Sequence, residues 1–432
     1  MRGVAAGLVL LHHAYGMAPD VASLGGTIDR LLHALMHFSP LRVFEFGRGP
    51  VLFFFVLSGY VLTRGLLRHG SPGLLAFAAQ RSVRLLPPVA ASVLLSVALW
   101  FLAFDPLLRQ GGLDARTLGL WMQAPTLVDT LWEATLLQTD TNPVVLNPVL
   151  WSLVHEWRLT LFLPLVLLLR RQPALLLALA SLATALGILG GAEENGVHLG
   201  PQLHSTVPAS LYFTLAVGSG VALAMLGPIR PLGRWQRLAG LIAAVALFGM
   251  GSDIAAYAGS ALLIVVAQQP GRLRRALRRP ALVWLGRVSF SLYLVHAPVL
   301  VAWLFLLQGS LPFWAVLLSG ILVVLACAAL LHWLVEVPSR RLARQVERRL
   351  ATRRPTDRAA LDRTDAGQAN PPRTGQPRTC PPRTGPPWTS PPWTSSDRFW
   401  ASEGGMPATP GNKGGPAAPD GRLVRCRTVA ED

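Results

Sequence analysis

The chain has 432 residues, of which 52% are hydrophobic and only 14% charged, with a mean hydropathy of +0.43. Those figures exclude a soluble domain and a disordered chain, and they describe a polytopic membrane protein. The net charge of +17 comes from arginines placed between apolar runs, so it reads as a set of topology signals and not as a nucleic-acid surface.

The first element is an apolar helix, MRGVAAGLVLLHHAYG, with Arg2 at one end and His12 and His13 near the other. Eleven helical residues at ~100° each return Arg2 and His13 to nearly one face, roughly 16 Å apart along the axis. Alone, it reads as a start-transfer helix with Arg2 among headgroups. A cleaved signal peptide has a similar outline, but the paired histidines interrupt its apolar core. The segment is short for a span of ~20 residues, which leads us to expect a few residues upstream of Met1.

With the first window near 2–17, further apolar windows near 50–67, 86–104, 148–169, 173–190, 205–226, 237–251, 254–268, 282–307 and 313–335 predict an all-α bundle of about ten transmembrane helices. Gly249, Gly251, Ser252 and Asp253 supply turn chemistry inside 237–268 and favour a hairpin over one long helix. Alternate connections hold Arg64, Arg68, Arg81 and Arg84, then Arg170 and Arg171, then Arg230, Arg234 and Arg237, then Arg272 to Arg279, then Arg340 and Arg341. The other connections are arginine-poor and gather Asp129, Glu133, Asp140, Glu193, Glu194 and Asp253, among other acids. The positive-inside rule therefore puts both termini in the cytoplasm and makes the span count even. The expectation is therefore a multi-pass protein of a cell membrane, with the lipid bilayer as its first partner.

Two long outer loops are expected, near 18–49 and 105–147. The second carries Trp121 and Trp132 and reads as an interfacial segment or as a cover over an acceptor site. The membrane domain is expected over 1–345. From 346 to 432 the chain is rich in Pro, Thr, Gly and Arg, with a degenerate five-residue repeat in PPRTGQPRTCPPRTGPPWTSPPWTS. That composition predicts a disordered cytoplasmic tail.

Chemistry concentrates in a few places. The fourth window, LWSLVHEWRLTL, puts His155, Glu156 and Arg158 within one turn of an apolar helix, where each charge costs about 3 kcal/mol on insertion scales. These groups either neutralise one another and Arg2 to hold the bundle, or they form a site. Arg81 and Arg84 stand at i and i+3 just before the third window, with Pro87 and Pro88 at its start. Two guanidiniums so spaced suit phosphate, and they equally suit positive-inside anchoring. Ser58, Gly59 and Tyr60 in FFFVLSGY offer close helix contact. His296, two residues before Pro298, falls at a depth comparable to His13 and Glu156. The three cysteines, Cys327, Cys380 and Cys426, show neither disulfide nor metal-ligand spacing, so no metal and no permanently bound cofactor are expected.

Taken in order, the arginine, ten residues and histidine of the first helix, FFFVLSGY, Arg81 with Arg84, LWSLVHE, GRVSFSLYLVH and EVPSRR resemble the acyltransferase-3 family of integral membrane acyltransferases over about 2–342. The resemblance implies a ten-helix domain that takes an acyl group, commonly acetyl, from cytoplasmic acyl-coenzyme A. The acceptor it implies is a hydroxyl of a carbohydrate or related molecule, such as a cell-surface polysaccharide, lipopolysaccharide, peptidoglycan or a macrolide. It also implies that Arg2 and His13 are the essential helix-one pair, that Arg81 and Arg84 handle the donor, and that Glu156 fills the acidic position of the fourth span. The chain departs from the family pattern in lacking the acidic residue before the helix-one arginine and a fused esterase-like domain.

On this basis His13 is expected to be the base. Glu156 is expected to orient or polarise the imidazole, and Arg2 to hold donor phosphate or stabilise negative charge. His155, Arg158, His296, Ser58 and Tyr60 are supporting candidates. A covalent acyl-histidine relay would use the same residues. The rival class is a proton-coupled transporter or flippase with Glu156 and the histidines as a relay. No internal repeat supports it, and it leaves the arginine fork without a task.

Overall fold

The computed structural model describes residues 1–16, 47–70, 73–103, 121, 124–137, 145–193, 206–227, 229–307, 310–311 and 313–351. Among these residues every regular element is a helix. In chain order they are α1 (Arg2–Gly16), α2 (Arg48–His69), α3 (Leu74–Ala103), α4 (Leu127–Ala134), α5 (Leu150–Leu161), α6 (Leu163–Val166), α7 (Pro173–Leu189), α8 (Thr206–Tyr212), α9 (Thr214–Met225) and α10 (Arg234–Gly249). Then come α11 (Asp253–Gln268), α12 (Arg272–Leu277), α13 (Pro280–Leu307), α14 (Phe313–Leu331), a π turn (His332–Glu336) and α15 (Val337–Ala351). Most of the expected loop near 18–49 and almost all of the tail lie outside the described residues, though Arg48 opens α2, and α15 carries helix past the expected domain boundary at 345.

Among the described residues, five helices are long and apolar enough to cross a membrane: Arg48–Arg68, Leu74–Ala103, Thr206–Met225, Pro280–Leu307 and the continuous run Ala315–Leu350. A sixth results if α5 and the segment Leu163–Leu169, bent by 46°, form one span. Pro173–Leu189 and Asp253–Gln268 are shorter apolar helices, and α1 and α10 have 15 and 16 residues. At 1.5 Å per residue, these four reach about 22–26 Å, less than the ~30 Å of a bilayer core.

Two proline sites behave differently from their sequence reading. The window 148–169 breaks at Phe162 because Pro164 stands in the first turn of α6, where its missing N–H starts a new helix at no loss. Pro87 and Pro88 lie inside α3, which runs unbroken for 30 residues. Arg81 and Arg84 therefore share one helix with the span. The hairpin expected between 237 and 268 is present: α10 packs on α11, and Gly251 turns the chain at φ +70°, a left-handed conformation that glycine adopts without a Cβ penalty.

α13 is the central helix, with 78% of its apolar window buried against 33% for α3. α1 packs on α13 and α2, α2 on α9 and α11, and α3 on α13 and α15. The α1–α13 contact is unusually close. A Cβ at Gly3 would lie 2.6 Å from the Gly286 nitrogen and 2.7 Å from the Leu285 carbonyl carbon, so only glycine allows this approach. Ten residues further along both helices, His13 meets His296 at the same offset of 283 residues, so α1 and α13 run parallel in register. α2 and α11 are also parallel, since Arg48 pairs with Asp253 and Tyr60 with Gln268. α13 and the run through α14 are antiparallel, as Trp303 bonds Ser319 and Ser291 bonds Glu336.

Trp121 and Trp132, read together as interfacial, separate. Trp121 is buried, lies parallel to Phe305 at 6.3 Å between centroids, and donates to the Leu146 carbonyl at 3.3 Å. The α4 helix buries Asp129 and Glu133 and exposes Leu127, Val128, Leu131 and Trp132. An inward acidic face with an outward apolar face is what a helix lying against lipid requires.

Candidate active site

Five helices converge at one end of the bundle. Arg2 of α1, Phe54 and Ser58 of α2, Arg81 and Arg84 of α3, Glu156 of α5 and Phe290 of α13 line a cavity of about 70 Å³. A second cavity of about 30 Å³ shares Arg2, Glu156, Phe54 and Phe290 and adds Ser152, Ser289 and Tyr293. Three guanidiniums and one carboxylate leave two positive charges facing a partly apolar enclosure, which suits an anion.

The two arginines of α3 are used differently. Arg81 is buried, donating from Nε to Thr160 Oγ1 at 2.6 Å and from Nη2 to Glu156 Oε1 at 3.0 Å. Ser58 Oγ donates to the same carboxylate oxygen at 2.5 Å, and Thr160 Oγ1 donates to the Glu156 carbonyl at 2.5 Å. Arg84 lines the cavity and, like Arg2, has no ion pair among the described residues.

About 16 Å along α1 from Arg2, His13 sits one turn above Val9, its Nδ1 3.0 Å from the Val9 carbonyl oxygen. The Nε2 of buried His296 lies 3.4 Å from that Nδ1. His296 is itself held by the backbone, with Nδ1 2.8 Å from the Tyr293 oxygen and 3.2 Å from that of Leu292. His12 stands edge-on to His13 at 5.4 Å between ring centroids.

Tyr293 links the two regions. Its ring lies 5.8 Å from that of His296, it lines the smaller cavity, and its hydroxyl donates to the Val149 carbonyl at 2.9 Å and lies 2.7 Å from Ser152 Oγ. Sequence reading passed over this residue, although its position three before His296 puts both on one helical face. It also passed over Thr160, which braces Arg81, and Glu336 as a charged group. Glu336 ends the π turn, accepts Ser291 Oγ at 2.7 Å, lies 2.9 Å from His332 Nδ1, and is 3.7 Å from Arg340. Single π turns recur at functional sites.

Of the residues singled out from sequence, Arg2, Arg81, Arg84, Glu156 and Ser58 come together, and His13 joins His296. The hydrogen bonds of Glu156 run to Ser58 and Arg81, and among the described residues none joins it to His13. His155 and Arg158 turn the other way, toward α8: His155 Nδ1 lies 3.0 Å from Ser210 Oγ, and Arg158 donates to Thr206 Oγ1 at 2.6 Å. Tyr60 donates to Gln268 Oε1 at 2.7 Å and accepts from Arg64. Near Trp151, Arg48 makes a bidentate pair with buried Asp253 at 2.8 and 2.7 Å, braced by the Tyr212 hydroxyl at 2.8 Å.

A family profile described as an acyltransferase domain, acyltransferase-3, matches residues 1–333. The chain belongs to the acyltransferase-3 family. It is a membrane acyltransferase, which sets aside the transporter reading. No curated protein and no solved structure matches the chain. Within the acyltransferase-3 match fall all the cavity-lining arginines, Glu156, His13 and His296. Acyl transfer draws on a base for the attacking nucleophile and on cations or hydrogen-bond donors for negative charge, and α1 carries both an imidazole and a guanidinium.

Proposed function

We propose that the enzyme moves an acyl group, acetyl by preference, from cytoplasmic acyl-coenzyme A to a hydroxyl of a carbohydrate or glycosylated acceptor. A cell-surface polysaccharide or a macrolide-like metabolite fits that class. The observation carrying the reading is that one helix, α1, holds Arg2 in the arginine-lined cavity and His13 against His296 about 16 Å away. Donor phosphates would bind Arg2 and Arg84 through charge-assisted hydrogen bonds. Arg81, paired with Glu156 and bonded to Thr160, would hold the wall of the donor site beside them. The pantetheine arm then runs past Tyr293 toward His13.

At that end His13 takes the proton from the acceptor hydroxyl as its oxygen attacks the thioester carbon. The new C–O bond forms, the C–S bond breaks, and the departing thiolate receives the proton from the imidazolium. Acyl-coenzyme A is consumed as a substrate, and no resident cofactor or metal takes part. The domain extends over 1–345 and crosses the bacterial cytoplasmic membrane about ten times, with both termini in the cytoplasm. The parallel α1–α13 and α2–α11 pairs fit that alternation, as does the arginine distribution.

The test is transfer of radiolabel from acetyl-coenzyme A in membranes carrying the wild type or His13→Ala at matched levels. Envelope and small-molecule fractions are counted separately. Label above empty membranes that depends on His13 is expected, and full transfer by a well-expressed His13→Ala protein would refute the assignment of the base.

A further inference from the structure

The His13–His296 contact carries more than proximity, because backbone carbonyl oxygens can only accept hydrogen bonds. His296 Nδ1 lies 2.8 Å from the Tyr293 oxygen and 3.2 Å from the Leu292 oxygen. That nitrogen therefore carries the proton, and Nε2 of the neutral ring presents a lone pair. The lone pair faces His13 Nδ1 at 3.4 Å. His13 Nδ1 also faces the Val9 carbonyl at 3.0 Å, so both of its partners are acceptors and it too must be an N–H. The backbone of α13 thus sets one tautomer, which sets the next.

We infer that His296 is a positioning residue that fixes the Nδ1–H tautomer of His13, making Nε2 of His13 the atom that receives the acceptor's proton. The inference rests on the reading of His13 as the base. Its physical content is a relay of orientation that ends in the main chain and, among the described residues, contains no carboxylate. When Nε2 takes the proton, Nδ1–H of the resulting imidazolium already points at the His296 lone pair, so the hydrogen bond strengthens as charge develops. Without that acceptor the Val9 carbonyl alone holds the ring, and the imidazole samples the tautomer whose Nε2 is already protonated and cannot act as a base. The parallel register of α1 and α13, set at Gly3 and Gly286, brings the two rings together.

The test is nitrogen-15 NMR of the full chain in lipid bilayers with labelled histidine, the His13 signals being assigned by their loss in His13→Asn. In the wild type, His13 Nδ1 is expected to give a protonated, pyrrole-type signal and Nε2 a pyridine-type signal. His296→Phe keeps a ring of similar size without an acceptor; it is expected to mix the two tautomers and to lower kcat about 10- to 100-fold, with KM for acyl-coenzyme A unchanged. His296→Gln places a carboxamide oxygen where Nε2 stood, and is expected to restore both the tautomer and most of kcat. A wild-type His13 protonated on Nε2 would overturn the inference even if the variants fail to fold, and so would a His296→Phe enzyme with unchanged tautomer and kcat. If His13 shows the expected tautomer but His13→Ala retains full transfer, the base reading falls while the orientation by His296 stands.

Discussion

Arg81 and Arg84 are separated by three positions on one helix, yet they should fail in different ways when removed. Arg81 is 5% exposed and paired with Glu156, whose side chain is 16% exposed. Truncating Glu156 leaves the buried Arg81 without its counter-charge, and truncating Arg81 strips Glu156 and Thr160 of their hydrogen-bond donor; breaking a buried pair costs about 3–5 kcal/mol, a large part of a typical stability of about 5–15 kcal/mol. Arg84 lines the cavity without an ion pair among the described residues, so Arg84→Ala strands no partner. On the proposed donor mode it would remove a charge-assisted contact to a donor phosphate of about 1.5–3 kcal/mol, equivalent to roughly 10- to 100-fold in donor affinity.

The assay is purified protein in nanodiscs, with the unfolding midpoint measured alongside initial rates against acyl-coenzyme A. Arg84→Ala is expected to raise the donor KM about 10- to 100-fold at an unchanged midpoint. Arg81→Ala and Glu156→Ala are expected to lower the midpoint, and Glu156→Gln less so, since its amide oxygen still accepts from Ser58 and Arg81. Replacing both partners together, Arg81→Met with Glu156→Leu, should regain much of the lost stability because no charge is then left buried. An Arg81→Ala protein with a wild-type midpoint would refute the reasoning, as would an Arg84→Ala protein that loses stability while keeping its donor KM.

Two further outcomes follow from the packing. Gly3→Val places carbon atoms within 3 Å of the α13 backbone, so it should part α1 from α13 and abolish transfer while the protein still inserts, as read by membrane fractionation and labelling; full activity would contradict the register argument. In the α4 segment, burial pushes the Glu133 carboxyl up to about 8, opposed by hydrogen bonds from the Leu146 and Asn147 N–H groups at 2.7 and 2.9 Å. The folded protein thus holds this proton more tightly than the unfolded chain, whose carboxyl titrates near 4.5. Its stabilising contribution is full below that value and is lost as pH rises through about 8. Unfolding midpoints should therefore fall across that window in the wild type and vary less in Glu133→Gln; a wild-type midpoint that rises across it would reverse the sign.

Several features could be read in the sequence for stated physical reasons. Composition dictated an all-helical membrane domain, and the glycines around Met250 dictated the α10–α11 hairpin. That Glu156 and the arginines face a polar interior or one another followed from the cost of charge inside an apolar bundle, but the grouping of Glu156 with Arg2, Arg81 and Arg84 did not, because it depends on which helix each face meets. His155 and Glu156 are adjacent in sequence but ~100° apart around α5, and they turn to α8 and α3 respectively. Likewise Pro164 breaks a helix while Pro87 and Pro88 do not, since Pro164 occupies a first turn and the other two lie in an interior held by its neighbours. The parallel register of α1 on α13, which turns His296 from a supporting candidate into the neighbour of His13, is a tertiary fact with no local signal beyond two glycines.

The distribution of charge along α1 has its own logic. Glu156 was expected beside His13 but sits with the arginines, where it neutralises one of three guanidiniums and leaves two positive charges facing the cavity. A carboxylate beside the histidine would have oriented the imidazole, but at ~4 Å it would also repel negative charge developing on the thioester oxygen by about 4 kcal/mol at an effective dielectric of ~20. With the tautomer inferred for His296, whose Nδ1 faces two carbonyl oxygens, a neutral imidazole would supply the same acceptor without that repulsion. On the proposed function, a charged end to hold the donor and a neutral end to move the proton would meet the opposite demands of the two tasks.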